Sequence, residues 1–211
     1  MKNSERIILM AMSNASESTT KIKLVKLLFL FSIEGPDSTY SFLPYKYGPF
    51  SFQLYRNLSA LSHAGWINGE LLKIHDDKKE DALNEIRMLP KLTRDNLINI
   101  HQRYGRLSEK EILKIVYAKY PEFTFRSEMP LEKAPQPVAP IAIYTIGYEG
   151  ISIDAFLNTL LQKGLSRLID VRRNPISRKW GFAKNTLAGL CDKVGIDYLH
   201  FPELGISSAQ R

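Results

Sequence analysis

Side chains capable of acid–base chemistry occur in three short stretches of the last third of the chain. Glu149 stands in the first stretch, Asp170 begins the second, and His200 stands in the third. A carboxylate can orient or activate a water molecule, and a histidine can gain or lose a proton near neutral pH. We therefore take Asp170, Glu149 and His200 as the candidate catalytic residues.

The stretch that follows Asp170 is a basic loop. Residues 172–184 contain five basic residues and no acidic one. The planar guanidinium of arginine binds phosphate or carboxylate through two hydrogen bonds, so the loop predicts an anion site. Trp180 and Phe182 could stack on a base or cover the site. The candidate anion-binding residues are Arg172, Arg173, Arg178, Lys179 and Gly147.

Each of these signals also has an interpretation without chemistry. The basic loop could be only a solvent-exposed loop, and Asp170 could serve only as the ion-pair partner of Arg172. The chain has no Walker A sequence, and the run from Gly147 to Gly150 is too short for a dinucleotide-binding fingerprint, so no cofactor is assigned. The single cysteine, Cys191, excludes an internal disulfide and a zinc site built from cysteines, and no metal site is assigned.

An alternating pattern of strands and helices positions the three stretches. Apolar, β-rich runs at 141–146, 168–172 and 196–201 predict strands, and helices are predicted between them at 152–163 and 186–194. This order indicates a parallel sheet with right-handed crossovers. Ligands bind beyond the carboxyl ends of such strands, so the acids, the arginines and the histidine should converge on one rim.

The preceding part of the chain is predicted to be mostly helical. Gly48-Pro49 should end an extended aromatic run at 40–47, a turn is expected at 35–38, and Asn68-Gly69 predicts a hairpin. Two helices, then a third helix followed by a two-stranded hairpin, is the order of a winged helix. The predicted helices lie near 7–11, 21–33, 51–63, 79–88, 93–105 and 108–119.

Proline separates these two parts of the chain. Residues 130–140 hold four of the eleven prolines, which predicts a semi-rigid linker. We predict a helical, winged-helix-like domain at 1–129 and an α/β domain at 141–211.

Composition and charge limit the class of protein. The chain has 211 residues, of which 44% are hydrophobic and 24% charged, as in globular proteins. The longest strongly apolar stretch, 24–33, contains Lys26 and is about half a bilayer span, and the N-terminus lacks the features of a signal peptide. We expect a cytoplasmic protein without membrane contact. The net charge of +7 permits an anionic partner.

A spaced motif runs through the N-terminal part and consists of Lys26-Leu27-Leu28-Phe29-Leu30, Tyr47-Gly48-Pro49, Leu54, Leu58, Leu61 and Gly65-Trp66-Ile67. The motif resembles Panacea-like domains and related winged-helix proteins, which occur as antitoxins and as prokaryotic or phage-associated regulatory modules. The resemblance implies a winged-helix fold. The residues leave open whether this part contacts DNA, interacts with a protein or serves only as a scaffold. Lys46 and Arg56 are the candidate nucleic-acid contacts here, and Lys184 is the candidate in the C-terminal part.

A second resemblance covers 143–211, where three motif blocks occur in order. They are Tyr144 to Tyr148 with Gly150, Leu168 to Arg172 with Pro175 and Arg178, and Gly195-Ile196 with Tyr198, His200 and Leu204-Gly205. The blocks are similar to the family called domain of unknown function 488. The family implies a three-layer, Rossmann-like α/β fold and no settled activity. The site candidates carried over are Gly147, Glu149, Asp170, Arg172, Arg178 and His200.

The family domain continues beyond the Leu204-Gly205 motif, and its later half usually carries a Cys-His-Arg cluster. The chain ends at Arg211 without such a cluster, so we expect a fragment with an incomplete α/β domain. A predicted sheet of this size would leave an open edge.

Two functions from different classes fit these residues. The first is an enzyme or binding domain for a phosphate-bearing ligand, such as a nucleotide or a nucleic-acid end, with a hydrolytic reaction if it is an enzyme. The second is a non-catalytic regulator or defence-associated adaptor, whose N-terminal domain binds DNA or protein. The sequence leaves open whether the chain is an enzyme.

Salt dependence tests whether the basic residues neutralise phosphates. If they do, binding of duplex DNA weakens steeply from low to moderate salt, because the DNA releases counterions when the protein binds. An affinity that does not change with salt would exclude this mode of contact.

Substitution of Arg172 or Asp170 by alanine should abolish any turnover while the chain still folds.

Overall fold

The computed structural model describes residues 1–14, 19–36 and 39–205, so part of the turn predicted at 35–38 lies outside the described residues. The chain divides into two compact units, Met1–Ala134 and Pro135–Arg211. The division falls inside the proline-rich stretch predicted as a linker at 130–140. No described helix is both long and apolar enough to cross a membrane.

The N-terminal unit is mainly helical, as predicted. Ser51 begins its third helix as an N-cap, because its hydroxyl accepts a hydrogen bond from the Leu54 amide at 3.2 Å. A short 3-10 turn at Asp76–Lys78 precedes the fourth helix, and another at Pro121–Phe123 follows the sixth. The helices are α1 (Asn3–Ser13), α2 (Lys21–Glu34), α3 (Phe52–His63), α4 (Lys79–Arg87), α5 (Lys91–Tyr104) and α6 (Glu109–Lys119).

Two small antiparallel hairpins interrupt these helices. The first joins β1 (Leu43–Tyr45) to β2 (Gly48–Phe50), and the second joins β3 (Ile67–Asn68) to β4 (Lys73–Ile74). The expectation that Gly48-Pro49 ends an extended run is therefore wrong. Gly48 has a φ of +79°, which turns the chain back, and Pro49 lies opposite Pro44 in the returning strand.

Helix α2 is the centre of the N-terminal core. Its residues from Leu24 to Phe31 are all buried, so the helix is apolar on every side, as expected of a helix surrounded by others. The Phe29 ring makes edge-to-face contacts with three other rings, with centroids 5.0–5.2 Å apart. The partners of Phe29 are Phe42, Tyr120 and Phe123.

A carboxylate at the end of α2 ties this helix to α5 and α6. Glu34 accepts hydrogen bonds from the hydroxyls of Tyr104 and Tyr120 and forms ion pairs with Arg103 at 2.8 Å and Lys119 at 3.0 Å. Burial opposes ionisation of Glu34, but these donors together hold its pKa below the usual value. The four partners come from α5, α6 and the residue after α6, so one side chain links three segments.

A charged residue lies in the buried middle of α2. Lys26 is only 2% exposed, and its Nζ donates a hydrogen bond to the Pro49 carbonyl oxygen at 2.8 Å. Burial lowers the pKa of Lys26 to about 7, although the charge of Glu109 acts in the opposite direction. The hydrogen bond connects α2 to strand β2.

The described part of the C-terminal unit contains two parallel strands, two α-helices and a short 3-10 turn at Pro202–Leu204. Helix α7 (Ile153–Gln162) precedes β5 (Arg167–Asp170), and α8 (Lys184–Lys193) precedes β6 (Asp197–His200). The strands pair in parallel from Arg167 opposite Asp197 to Asp170 opposite His200, which confirms the predicted parallel pairing. Ser152 caps α7, close to the predicted start of the helix at 152, because its hydroxyl accepts from the Ala155 amide at 3.1 Å.

The strand predicted at 141–146 does not form in the structure. Ile141 and Ile143 are 108% and 97% exposed, so these side chains have no apolar face to pack against. A run of this composition becomes a strand only when a neighbouring strand and a buried surface are available. The observed order of this unit is therefore α-β-α-β rather than the predicted β-α-β-α-β.

The buried amine of Lys26 should make stability rise with pH between about 7 and 10.5. In this window the unfolded lysine, with its ordinary pKa of 10.5, keeps a proton that the folded lysine has lost. The unfolded state then binds more protons, so a rise in pH favours folding. In a Trp180→Phe background, Trp66 fluorescence during urea unfolding reports on the N-terminal unit.

The variant Lys26→Met should remove this pH dependence, at the cost of leaving the Pro49 carbonyl without its donor. Lys23→Met is the matched control. Lys23 is also in α2 and also donates to a backbone carbonyl, that of Gly105 at 2.9 Å, but it is only half-buried. An unchanged pH dependence in the Lys26→Met variant would contradict the assignment.

Candidate functional site

The centre of the candidate site is the carboxylate of Asp170, the last residue of β5. Its Oδ1 accepts from the backbone N–H and Nε of Arg172, at 3.1 and 2.8 Å. Its Oδ2 accepts from Nη2 of Arg172 and from the hydroxyl of Tyr198, both at 2.6 Å. A carboxylate offers about four acceptor positions, so the four donors occupy them all.

This saturation keeps Asp170 ionised. Burial is the largest effect on the group and favours the protonated acid, but the hydrogen bonds from Arg172 and Tyr198 together outweigh it and lower the pKa to about 2. An oxygen that already accepts two hydrogen bonds has no lone pair left for a water or a metal. Asp170 is therefore placed to hold Arg172 in position. This agrees with the interpretation that Asp170 serves as the ion-pair partner of Arg172.

One aromatic ring contacts the guanidinium of Arg172, and a second ring stacks on the first. Its guanidinium carbon lies 5.1 Å from the ring centroid of Tyr148, and the Tyr148 ring stacks on Phe182 with centroids 4.6 Å apart. Nη1 of Arg172 is buried without a hydrogen-bond partner among the described residues. Phe182 is 1% exposed and also contacts Phe156, so it belongs to the core and offers no open face to a base.

His200 lies beside this cluster because it is the register partner of Asp170. Its Nε2 is 2.8 Å from the Arg172 carbonyl oxygen, and its Nδ1 is 2.9 Å from Nζ of Lys184. A carbonyl only accepts, so Nε2 carries the proton and Nδ1 accepts from the lysine. This geometry corresponds to a neutral imidazole with a lysine ammonium in direct contact.

The basic loop surrounds these groups. Lys179 donates through Nζ to the Tyr148 carbonyl oxygen at 3.0 Å, which connects the loop to the residues after Gly147. Arg173 and Arg178 are exposed, and neither pairs with an acidic side chain in the part of the chain that the structure describes. These two guanidinium groups are therefore available to an external anion.

Gly181 explains how the loop returns to the helix that follows it. Its φ is +92°, and a Cβ at this position would lie 2.6 Å from the Cβ of Ile153. A glycine is required both by the backbone conformation and by the space. The return brings Lys184 to the first position of α8, where it reaches His200.

The other sequence candidates are outside this cluster. Gly147 and Glu149 are exposed, and the structure gives neither a side-chain hydrogen bond among the described residues. Lys46 belongs to the N-terminal unit and forms an exposed ion pair with Glu128 at 3.1 Å. Arg56 is exposed on α3 of the same unit.

Tyr148 and Tyr198 complete the cluster, although sequence reasoning gave them no role in the site. Burial and the Asp170 carboxylate raise the pKa of Tyr198, which keeps its hydroxyl protonated as a donor. The sequence does contain a signal that places Tyr198 at the site. Side chains alternate along a strand, and Tyr198 is two residues before His200, so the two side chains face the same side. Tyr148 follows Gly147 directly and has no comparable signal.

Two further groups bear on cofactors and nucleophiles. Among the described residues, no three or more His, Cys, Asp or Glu side chains form a group that could hold a metal ion. Cys191 is buried in α8, and burial raises its pKa to about 12, so its thiol is not a nucleophile at neutral pH.

Removal of the Asp170 charge should destabilise the C-terminal unit. Asp170→Asn leaves the half-buried Arg172 guanidinium without its counter-ion, and we expect a loss of about 3 kcal/mol. In wild type, the stabilisation by ionised Asp170 is present above its ordinary pKa of 3.8 and is lost as the pH falls through about 2. Trp180 fluorescence in a Trp66→Phe background measures unfolding of this unit.

The matched control is Asp197→Asn, because Asp197 forms an exposed ion pair with Arg167 at 2.8 Å on the same sheet. An exposed pair contributes less than about 1 kcal/mol. Equal effects of the two substitutions would show that Asp170 is not the centre of the cluster.

Comparison with known proteins gives a family match for the C-terminal unit. No curated protein and no solved structure matches the chain. Residues 152–211, which include α7, both strands, α8 and the basic loop, match a family model described as Domain of unknown function DUF488. The C-terminal part of the chain is therefore similar to this family.

Proposed function

We propose that the C-terminal unit binds a phosphate-bearing ligand, a nucleotide or a nucleic-acid end, at the carboxyl ends of β5 and β6. The observation that carries the proposal is the pair of exposed guanidinium groups of Arg173 and Arg178. They lie in a loop without acidic residues, and no described acidic side chain pairs with either. Arginine recognises phosphate through charge-assisted hydrogen bonds, so these two residues are the primary contacts.

The ion pair between Asp170 and Arg172 supports this assignment, because the negative charge of Asp170 is neutralised within the protein. Because Asp170 neutralises Arg172, no carboxylate of the cluster remains to repel an incoming anion. The ammonium groups of Lys179 and Lys184 already donate to a carbonyl and to an imidazole, but each keeps further N–H donors for a ligand. The net charge at the rim is positive, which attracts phosphate.

The contact between Lys184 and His200 gives the site groups for proton exchange. His200 accepts from Lys184 through Nδ1, so an anion that draws Lys184 away leaves a basic imidazole nitrogen beside the ligand. Glu149 is the exposed acid that can orient a water on the same loop as Tyr148. In a hydrolytic reaction, His200 exchanges the proton and Asp170 positions Arg172, and Glu149, which lies outside the cluster, is the candidate residue to orient the water. We also propose that this unit has a Rossmann-like fold.

A second function is favoured by the order of elements in the N-terminal unit. Helix α3 is followed directly by the antiparallel hairpin of β3 and β4, as in a winged helix. We propose that this unit is a Panacea-like winged-helix module that binds DNA or a protein, with Arg56 exposed on α3. Lys46 is engaged by Glu128, so it contributes to DNA binding only if that exposed pair opens.

The primary proposal is tested with a fluorescent single-stranded oligonucleotide that carries a 5′-phosphate. We expect Arg173→Gln and Arg178→Gln each to weaken binding by roughly tenfold, because each removes a charge-assisted hydrogen bond. Fluorescence anisotropy at low and moderate salt measures the affinity. The same oligonucleotide with a 5′-hydroxyl separates recognition of a phosphate end from contact with the backbone.

Lys163→Gln is the matched control, because Lys163 is exposed directly after α7, before β5 begins, and the substitution removes the same charge in the same unit. This variant should bind like wild type. If the double variant Arg173→Gln/Arg178→Gln bound as tightly as the Lys163→Gln protein, the basic loop would not be the anion site.

A further inference from the structure

A small cavity lies between helix α2, the hairpin of β1 and β2, and helix α3. Its volume is about 20 Å³, which is room for one water-sized group. Ile22 and Val25 of α2 line one side, and the rings of Phe50 and Tyr55 line the other elements. The walls of the cavity are therefore mostly apolar.

Lys26 brings a single amine to this apolar cavity. The lysine lines the cavity together with Pro49, whose carbonyl oxygen accepts a hydrogen bond from Nζ at 2.8 Å. This is the one described hydrogen bond of Nζ, and no described carboxylate forms an ion pair with it. An amine can form more than one hydrogen bond, so Nζ keeps a bonding capacity that the described residues do not use.

Burial keeps a large share of this amine neutral. It lowers the pKa of Lys26 to about 7, although the charge of Glu109 at the start of α6 acts in the opposite direction. The other titratable side chains that line the cavity are the phenols of Tyr47 and Tyr55. At pH 7 about half of the Lys26 amines are neutral, whereas a lysine with the ordinary pKa of 10.5 is neutral in roughly one molecule in three thousand.

The cavity suits a small carbonyl compound better than an anion. A neutral amine in an apolar site is the form of lysine that attacks carbonyl carbons in proteins. An anion that leaves water needs several hydrogen-bond donors, but most of the walls are apolar and Pro49 has no N–H. An aldehyde carries no charge, and its oxygen leaves as water when it condenses with the amine.

We propose that this cavity is a binding site for an aldehyde of one or two carbon atoms, which Lys26 captures as an imine. Nζ attacks the carbonyl carbon and a C–N bond forms. The two hydrogens of the neutral amine leave with the carbonyl oxygen as water, so the step needs no oxidant or reductant. The protonated imine keeps one N–H, which is the number that the Pro49 carbonyl requires. This inference does not depend on the phosphate-bearing ligand proposed for the C-terminal unit.

Reductive methylation of the folded, full chain tests the reactivity of Lys26. Formaldehyde supplies the carbonyl group, sodium cyanoborohydride traps the imine as a methylamine, and peptide mass mapping gives the initial rate at each lysine. At pH 7 we expect Lys26 to react at least about tenfold faster than acetyl-lysine amide added to the same tube, because far more of its amine is neutral. Lys23, which is half-buried in the same helix but does not line the cavity, is the internal control and should react more slowly than Lys26.

Matched variants assign the fast reaction to one amine. The Lys23→Met protein should keep the fast methylation in its intact mass, and the Lys26→Met protein should lose it. The ratio of the Lys26 rate to that of acetyl-lysine amide should also fall as the pH is raised from about 7 to about 10. Over this range the added standard gains neutral amine, whereas Lys26 already has it.

Three results would overturn the proposal. The first is a Lys26 rate no higher than that of acetyl-lysine amide at pH 7. The second is methylation of Lys26 only after urea has unfolded the N-terminal unit, which would make it a purely structural lysine. The third is protection of Lys26 by formate, an anion of similar size to the aldehyde, because the cavity would then be an anion site.

Discussion

The C-terminal unit depends on one ion pair, between Asp170 and Arg172. Asp170 ends one strand and accepts hydrogen bonds from the loop that follows it and from Tyr198 on the neighbouring strand. A buried carboxylate is stable only when donors fill its acceptor positions, so these segments must meet at this point. The same contacts place the Arg172 carbonyl against His200 and the guanidinium against Tyr148. The position of each polar group near the rim therefore follows from the requirement to satisfy one carboxylate.

This dependence changes which residues are free to contact a ligand. The charge of Arg172 is used within the protein, so the cations that can meet an anion are those farther along the loop, Arg173 and Arg178. Lys184 has an intermediate position, because its partner is a neutral imidazole rather than a carboxylate. An anion can compete for a lysine that is bound to an imidazole more easily than for an arginine held by two charged oxygens.

In the N-terminal unit, a buried amine has the same requirement for a hydrogen-bond partner. Lys26 lies in the apolar centre of α2, where burial lowers its pKa to about 7, and its single described hydrogen bond goes to the Pro49 carbonyl. At the C-terminal end of the helix, the Glu34 carboxylate accepts hydrogen bonds from α5 and from residues in and after α6. The buried middle of α2 follows from its apolar composition, whereas its direction relative to its neighbours follows from these polar contacts.

The sequence by itself determined the helices, including the starts of α3 and α7 near Ser51 and Ser152, the parallel pairing of β5 with β6, and the residue types at the rim. Each of these follows from local periodicity, from a capping side chain or from chain order, which are properties of neighbouring residues. Only the tertiary structure decided that Pro49 lies in a hairpin strand, that the apolar run at 141–146 forms no strand, and that Phe182 is core. It also decided that Asp170 is saturated by Arg172 and Tyr198. Such outcomes depend on which distant groups fill a hydrogen-bonding position or cover an apolar surface, and sequence spacing does not specify those partners.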